Sequence, residues 1–478
     1  MLTACGGGGG GGGAVTLPPN SAPVFTSAST ITIVEGSFLP YRATATDADG
    51  DSLRYSIAGG ADASSFSIST DGRLSFSASP DYDNPSDSNG NNEFELTLSV
   101  TDGKSSASLP LVVSMTNSRE GIAVRRIYSG FNQPVAISVI PGDPRLFVGE
   151  RSGAIYYFNP ATSTRTLYTR VGPIDGIGNP RPIGNRGLLG LAVSPNFAGD
   201  GRLYASFDDE DNNLFVRVFL RSQIEAGLWN SVQPSLVLTG GGDNPSLWIG
   251  FGPDKRIYYA TGSGKARDAT GGPAQDDASL FGKLLRPRPV DDPYAGAAPA
   301  ATKYDVLAKG LAQPVGVTFH GNQILIGDQG PDIFGEINQL GVNDLGVNFG
   351  WPYREGDTHR RGSFVAGLID PALQIAYGLG SKEAVQLTLG PVYDGSIASL
   401  RGHLIFGDRF RGHIWTIPAS ELTGGPVRGA SAYALRDEDF KPDAGDIDFI
   451  TAFVTSSTGR FYIFDGDGEV FEVLSEAK

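Results

Sequence analysis

The sequence predicts an all-β protein, a β-sandwich followed by a six-bladed β-propeller, and three observations carry that prediction. Glycine (66) and proline (31) are abundant among 478 residues, which suits short strands joined by many turns. Alternating apolar strands separated by Asp, Gly and Asn turns fill the first hundred or so residues. Beyond them, one unit of turn, apolar strand, turn and second apolar strand recurs along the rest of the chain.

The N-terminal segment, residues 1–22, holds Leu2-Thr-Ala-Cys5, the polyglycine run Gly6 to Gly13 and Pro18-Pro19. It cannot bury a core and reads as a flexible tether. Leu2 to Cys5 resembles a bacterial lipobox, in which the cysteine becomes lipid-modified. That implies an exported, lipid-anchored protein of the cell envelope, whose true start is expected upstream of Met1. Cys5 is the lone cysteine, so neither an intrachain disulfide nor a Cys-based zinc site is available. The net charge of −15 argues against nucleic acid as a partner.

Residues 23–117 read as the sandwich, with strands at Ile31 to Val34, Tyr41 to Thr46, Leu53 to Ile57, Phe66 to Ile68, Leu74 to Phe76, Phe94 to Thr101 and Ala107 to Ser114. Val34-Glu-Gly36, Asp47-Ala-Asp-Gly-Asp51, Pro80-Asp-Tyr-Asp83 and Thr101-Asp-Gly103 resemble a cadherin-type repeat. The resemblance implies calcium held by Glu35, Asp47, Asp49, Asp81 and Asp83. Paired carboxylates in turns offer the oxygens calcium needs, and the same residues also make ordinary Asp-Gly turns. A cell-surface protein or glycan is the partner such a domain would meet.

Residues 118–126 read as a connector and 127–478 as the propeller. Its six copies are Pro144 to Val148 with Ile155 to Phe158, Arg202 to Ala205 with Leu214 to Leu220, and Arg256 to Ala260 with Lys283 to Leu285. The others are Val315 to Phe319 with Gln323 to Ile326, His403 to Phe406 with His413 to Ile417, and Arg460 to Phe464 with Val470 to Val473. Six hairpin repeats favour radial closure, the last closing against early strands.

One stretch organises the propeller. Gly327 to Gly356 runs from an apolar strand into a turn dense in carboxylates and glycines, through Glu336-Ile-Asn338, to Asn348-Phe-Gly-Trp-Pro352. Gly330-Pro331 forces a turn with free carbonyls. With Asp328, Asp332 and Glu336 nearby, these are hard ligands of the kind calcium prefers. Together with Phe131 to Ala136, Val148 to Gly153, Arg186 to Ala192, Phe251 to Asp254 and Gln275 to Arg286, this stretch resembles the soluble quinoprotein glucose dehydrogenase family, which includes aldose and sorbosone dehydrogenases. The resemblance implies a propeller that binds calcium and pyrroloquinoline quinone (PQQ) and oxidises the C1 hydroxyl of sugars.

Carried over residue by residue, the resemblance implies calcium at Gln329, Gly330 and Pro331 and quinone contacts from Asn185, Gln313, Arg409 and Arg411. The family's catalytic histidine, seven residues before the FGPD phenylalanine, falls on Asn244, and an amide is no general base. The four histidines, His320, His359, His403 and His413, lie elsewhere in the chain, with His359 the one nearest to the Trp351-Pro352 motif. Two readings follow: a calcium- and PQQ-dependent sugar dehydrogenase of altered site, or a catalytically inactive propeller and sandwich that bind carbohydrate or protein.

Overall fold

The computed structural model describes residues 19–171, 187–209, 211–226, 232–240, 246–264, 271–288, 303–363 and 365–475. Cys5, Asn185 and Asn244 lie outside them. The chain divides into two compact units, one ending at Ser118 and one beginning at Arg119.

In the first unit, Thr30–Val34, Ser106–Thr116, Glu93–Thr101 and Arg54–Gly59 form a four-stranded sheet, its first pair parallel. Val24–Phe25 with Ala45–Thr46 and Phe66–Ile68 with Leu74–Phe76 form two short ribbons. Alternate residues of Glu93–Thr101 (Phe94, Leu96, Leu98 and Val100) are all but fully buried, as a one-sided strand requires. Phe94, Leu96 and Leu98 pack with Leu39, Tyr41, Leu74 and Val113 into one core.

The second unit consists of six four-stranded blades. Blade 1 is Pro134–Val139, Leu146–Glu150, Ala154–Asn159 and Thr164–Arg170; blade 2 is Leu188–Val193, Arg202–Asp208, Leu214–Leu220 and Val232–Leu238. Blade 3 is Leu247–Phe251, Ile257–Thr261, Lys283–Pro287 and Tyr304–Lys309, extended by the short parallel strand Val347–Asn348. Blade 4 is Pro314–His320, Gln323–Gln329, Phe334–Gly341 and Leu373–Ala376; blade 5 is Leu387–Val392, His403–Asp408, Ile414–Pro418 and Ala434–Leu435. Blade 6 is Ile450–Thr455, Phe461–Asp465, Glu469–Ser475 and, from the start of the unit, Ile122–Ser129.

The first strands of successive blades touch in order and blade 6 returns to blade 1, so the ring is closed. Each neighbouring pair of blades shares an apolar core. The last, between blades 6 and 1, joins Tyr462, Phe464 and Val470 to Leu146, Val148 and Phe158. No sheet edge is left at the seam, where a split blade is zipped by seven paired residues from Glu469↔Ser129 to Ser475↔Ile122.

Two expectations shift. The connector expected over 118–126 is in part the outer strand of blade 6, because Ile122 and Val124 fill the core against Phe471 and Val473. The fourth sequence copy is out of phase with the rest: Val315 to Phe319 and Gln323 to Ile326 belong to the first and second strands of blade 4, whereas the other copies are second and third strands. In blade 4 both of the first two strands read as apolar runs, and periodicity alone does not rank them.

Candidate functional site

A single local device builds one face of the ring. In each blade the start of the first strand pairs with the end of the second, as in Pro314↔Asp328 and Ile450↔Asp465. The second strand ends on Glu150, Asp208, Asp408 or Asp465 in four blades and on Thr261 in blade 3, and in blade 4 it carries Asp328 one residue before its end. These carboxylates are buried and accept backbone N–H groups from the residues just before the first strand. Asp328 accepts from Ala312 (2.8 Å) and Gln313 (2.6 Å), Asp408 from Val385 (3.0 Å) and Gln386 (3.2 Å), and Asp465 from Asp448 (3.1 Å) and Phe449 (2.9 Å). Glu150 takes the N–H of Asn132 and Asp208 that of Gly187. Buried turn N–H groups need such acceptors, which explains the recurring acid.

In five blades the residue that follows is pinned beside the axis. Its N–H donates to the residue preceding the first strand: Arg151 to Gln133, Gly262 to Ser246, Gln329 to Gln313, Arg409 to Gln386 and Gly466 to Phe449, whereas in blade 2 Asp209 donates to Asn213 within its own turn. In blades 1 and 5 that residue is arginine. Arg151 and Arg409 consequently meet over the axial opening, lining a cavity of about 120 Å³ with Ser246, Trp248, Gln313, Gln386 and Thr451. Below it a channel of about 240 Å³ runs between the first strands of all six blades, past Ala136, Leu191, Ile249, Val317, Thr388 and Phe453.

The electrostatics mark the mouth as a place for an anion. Burial, and then the Arg151 charge, push the Arg409 guanidinium down to about 10. Burial also lowers Arg151, against the pull of Asp208. Among the described residues Arg409 Nε has no hydrogen-bond partner, and its guanidinium lies 5.3 Å from the centroid of the Phe449 ring. A buried cation and a half-buried one facing one opening, beside a tryptophan and two amides, suit a planar ligand bearing carboxylates.

Of the expected contacts, Gln313 and Arg409 are thus brought together. Arg411 is not: its Nη1 donates to the Gly380 carbonyl (3.1 Å) and it lines a different cavity, because successive turn residues point in different directions. Arg151, Trp248 and Gln386 were not foreseen. The signal for Arg151 was the Glu-Arg pair after an apolar strand, in phase with Asp408-Arg409.

The Gln329-Gly330-Pro331 turn lies between the second and third strands of blade 4, one strand out from the axis and behind Gln313. Gln329 Oε1 accepts the N–H of Leu387 (2.9 Å), and the Gly330 carbonyl accepts the hydroxyl of Tyr377 (2.6 Å). A carbonyl has two lone pairs, so Gly330 keeps one for another partner. The turn is held by Glu355, fully buried, whose Oε1 accepts the N–H groups of Asp332, Ile333 and Phe334.

Beneath it, burial first and then the Asp328 charge push Glu336 up to about 8, while burial first raises Asp328 to about 7. Both folded values exceed those of an unfolded chain, so the folded protein keeps protons that the unfolded chain releases. Stability should therefore fall as pH rises from about 4 to about 8, by on the order of a few kcal/mol, and level off above. Melting curves of the ligand-free protein across that window should show the fall, and Glu336→Gln should flatten it.

In the first unit the calcium candidates form two groups. Glu35 accepts the N–H of Tyr82 (2.6 Å), beside Asp81 and Asp83; Asp47 and Asp49 cluster with Asp51, whose carboxylate meets Lys104 at 2.8 Å. Asp47 accepts the N–H groups of Asp49 and Asp51, and Asp81 those of Asp83 and Asn84, as turn-forming aspartates do.

None of the four histidines lines the axial cavity. His320 ends the first strand of blade 4 at the opposite face, His403 begins the second strand of blade 5 there, and His359 is exposed in the hairpin Arg354–Glu355 with Thr358–His359. His413 is tied to Asp437 at 2.5 Å.

A closed six-bladed propeller with a cationic axial mouth defines the class of this unit. A glucose/sorbosone dehydrogenase family model matches residues 131–372, and the chain belongs to that family. A bacterial Ig domain model matches residues 20–114. Quinoprotein glucose dehydrogenase B of Acinetobacter calcoaceticus is 28% identical over 258 residues, 47% of this chain and 51% of that protein. The chain thus spans about half the length of this curated relative. The PQQ-bound aldose sugar dehydrogenase of Streptomyces coelicolor (22% identity, TM-score 0.53) covers 74% of this chain and 98% of its own. The apo soluble aldose sugar dehydrogenase of Escherichia coli (18%, TM-score 0.53) covers 74% and 99%. At these identities the two structures share the fold.

Proposed function

We propose that this chain is a PQQ- and calcium-dependent sugar dehydrogenase-type protein of the cell surface, acting on the C1 hydroxyl of an aldose at the axial mouth. The observation that carries the reading is the Arg151–Arg409 pair. A buried guanidinium and a half-buried one whose Nε is shielded and unpartnered among the described residues fit the carboxylates of the quinone. Trp248 offers a wall for its plane, and Gln313 and Gln386 offer amides. Gln329, Gly330 and Pro331 are the proposed calcium ligands, and Asn185 and Asn244 the remaining pocket residues. When bound, the quinone supplies a hydride acceptor for the C1 hydrogen. This chain's own part is to bind and orient the sugar and to exclude water.

The hydroxyl proton needs an acceptor, and no imidazole is at hand. That placement of the histidines favours a second reading, in which the propeller binds its ligands without turning them over and serves with the Ig-like domain in carbohydrate or protein recognition. Calcium at Glu35, Asp47, Asp49, Asp81 and Asp83 and a lipid on Cys5 belong to both readings. Incorporation of labelled palmitate, lost in Cys5→Ala, tests the anchor.

Purified protein should be titrated with PQQ with and without calcium, following quinone absorbance and tryptophan fluorescence, and then assayed for dye reduction with aldoses. Saturable, calcium-dependent binding is expected. Turnover distinguishes the readings, and Asn244→His should raise it at least ~10-fold, since a positioned base contributes roughly 10²–10⁴-fold. Absence of quinone binding would remove the first reading.

A further inference from the structure

The axial cavity has a neighbour. Between blades 5 and 6 an open cavity of about 380 Å³ is lined by Arg411, Asp437, Glu438, Lys441, Asp446 and Asp448, with Phe440 and Ile447 as its apolar part. That volume is within the range of small-ligand sites, roughly 300–1,000 Å³. The two cavities share the turn Asp408 to Gly412: Arg409 lines the first and Arg411 the second.

Phe410 stands between them. Its ring is 46% exposed, and it stacks on Phe449 with centroids 5.2 Å apart and planes at 23°. Phe449 in turn carries the Arg409 guanidinium and holds the position beside the axis that Gln313 and Gln386 hold in blades 4 and 5. An exposed aromatic face is costly to leave in water, yet this one is fixed by its partner ring and by the N–H of Phe410 donating to Asp408 (3.1 Å). It forms a rigid ridge, with a charged, hydrogen-bonding hollow beyond it.

We propose that the ridge and hollow are a sugar subsite: a neutral oligosaccharide with its reducing end in the axial mouth lays the next ring on Phe410 and places further hydroxyls against the hollow. The axial C–H bonds of a pyranose present a weakly positive face to the negative face of an aromatic ring. The hollow's carboxylates accept hydroxyl protons and Arg411 and Lys441 donate to hydroxyl oxygens, a mixture suited to a neutral polyol rather than to an ion. This inference rests on the axial mouth being where a sugar is held, and it makes the substrate class oligosaccharides rather than free monosaccharides.

The test is calorimetric titration of the full chain with glucose, cellotriose and maltotriose, with PQQ binding read separately by absorbance. At least one trisaccharide should bind ~10-fold or more tightly than glucose. That preference should shrink in Phe410→Ala, an exposed position, and independently in Glu438→Gln. Equal affinities for glucose and both trisaccharides, or a preference unmoved by both substitutions, would overturn the subsite. Quinone binding without trisaccharide preference rejects the subsite and leaves the dehydrogenase reading; preference without quinone binding does the reverse.

Discussion

Arg409→Gln should weaken PQQ binding by ~10–100-fold while leaving thermal stability unchanged or raised. A guanidinium–carboxylate hydrogen bond contributes about 1.5–3 kcal/mol, and each 1.4 kcal/mol is tenfold in affinity. The stability side follows from what the ligand-free site holds. Arg409 is half-buried close to Arg151, and desolvation and that like charge both oppose its protonated form. A neutral amide removes the repulsion without opening a core. Arg151→Gln should weaken binding by a similar factor, and the double substitution should abolish measurable binding. Quinone titration at two salt concentrations, with a melting curve for each variant, separates this outcome from simple damage, which would lower both affinity and stability.

Asp408→Ala should be the most destabilising single change near the site, by about 3–5 kcal/mol. Its carboxylate is fully buried and accepts the N–H groups of Val385, Gln386 and Phe410. Alanine leaves three donors without an acceptor, and each unsatisfied buried group costs ~1–3 kcal/mol, with partial relief from entering water. Asp408→Asn, which keeps an acceptor oxygen, should lose about half as much. Because the same bonds set Gln386 and Arg409, quinone affinity should fall with stability in both variants, unlike in Arg409→Gln. Urea unfolding followed by tryptophan fluorescence reads the effect, since Trp415 is buried in the third strand of the same blade.

The two sets of substitutions test different layers of one arrangement. The capping carboxylates belong to the backbone of each blade and recur around the ring. The arginines after two of them line the axial cavity. A surface on which the cap is repeated and the neighbouring residue varies lets the pocket's chemistry change without altering the fold.

Local patterns were enough to foretell the sandwich, six hairpin repeats and closure by an early strand, because a strand buried on one or both faces writes its period into the chain and a turn writes its glycines and aspartates. Motif likeness also singled out Gln313 and Arg409, which the structure places on one axial cavity. What pattern could not supply was phase and direction. Blade 4 begins one strand earlier than its neighbours suggest, since two adjacent apolar strands look alike in one dimension. Arg409 and Arg411 are two residues apart, yet the turn between them sends one to the axial cavity and the other to the Gly380 carbonyl. Arg151 lies more than 250 residues from Arg409, and only closure of the ring, held by the core between blades 6 and 1, puts both charges over one opening. Composition and periodicity thus chose the architecture, whereas the juxtaposition of distant side chains, on which the proposed binding rests, was decided by the way the blades close.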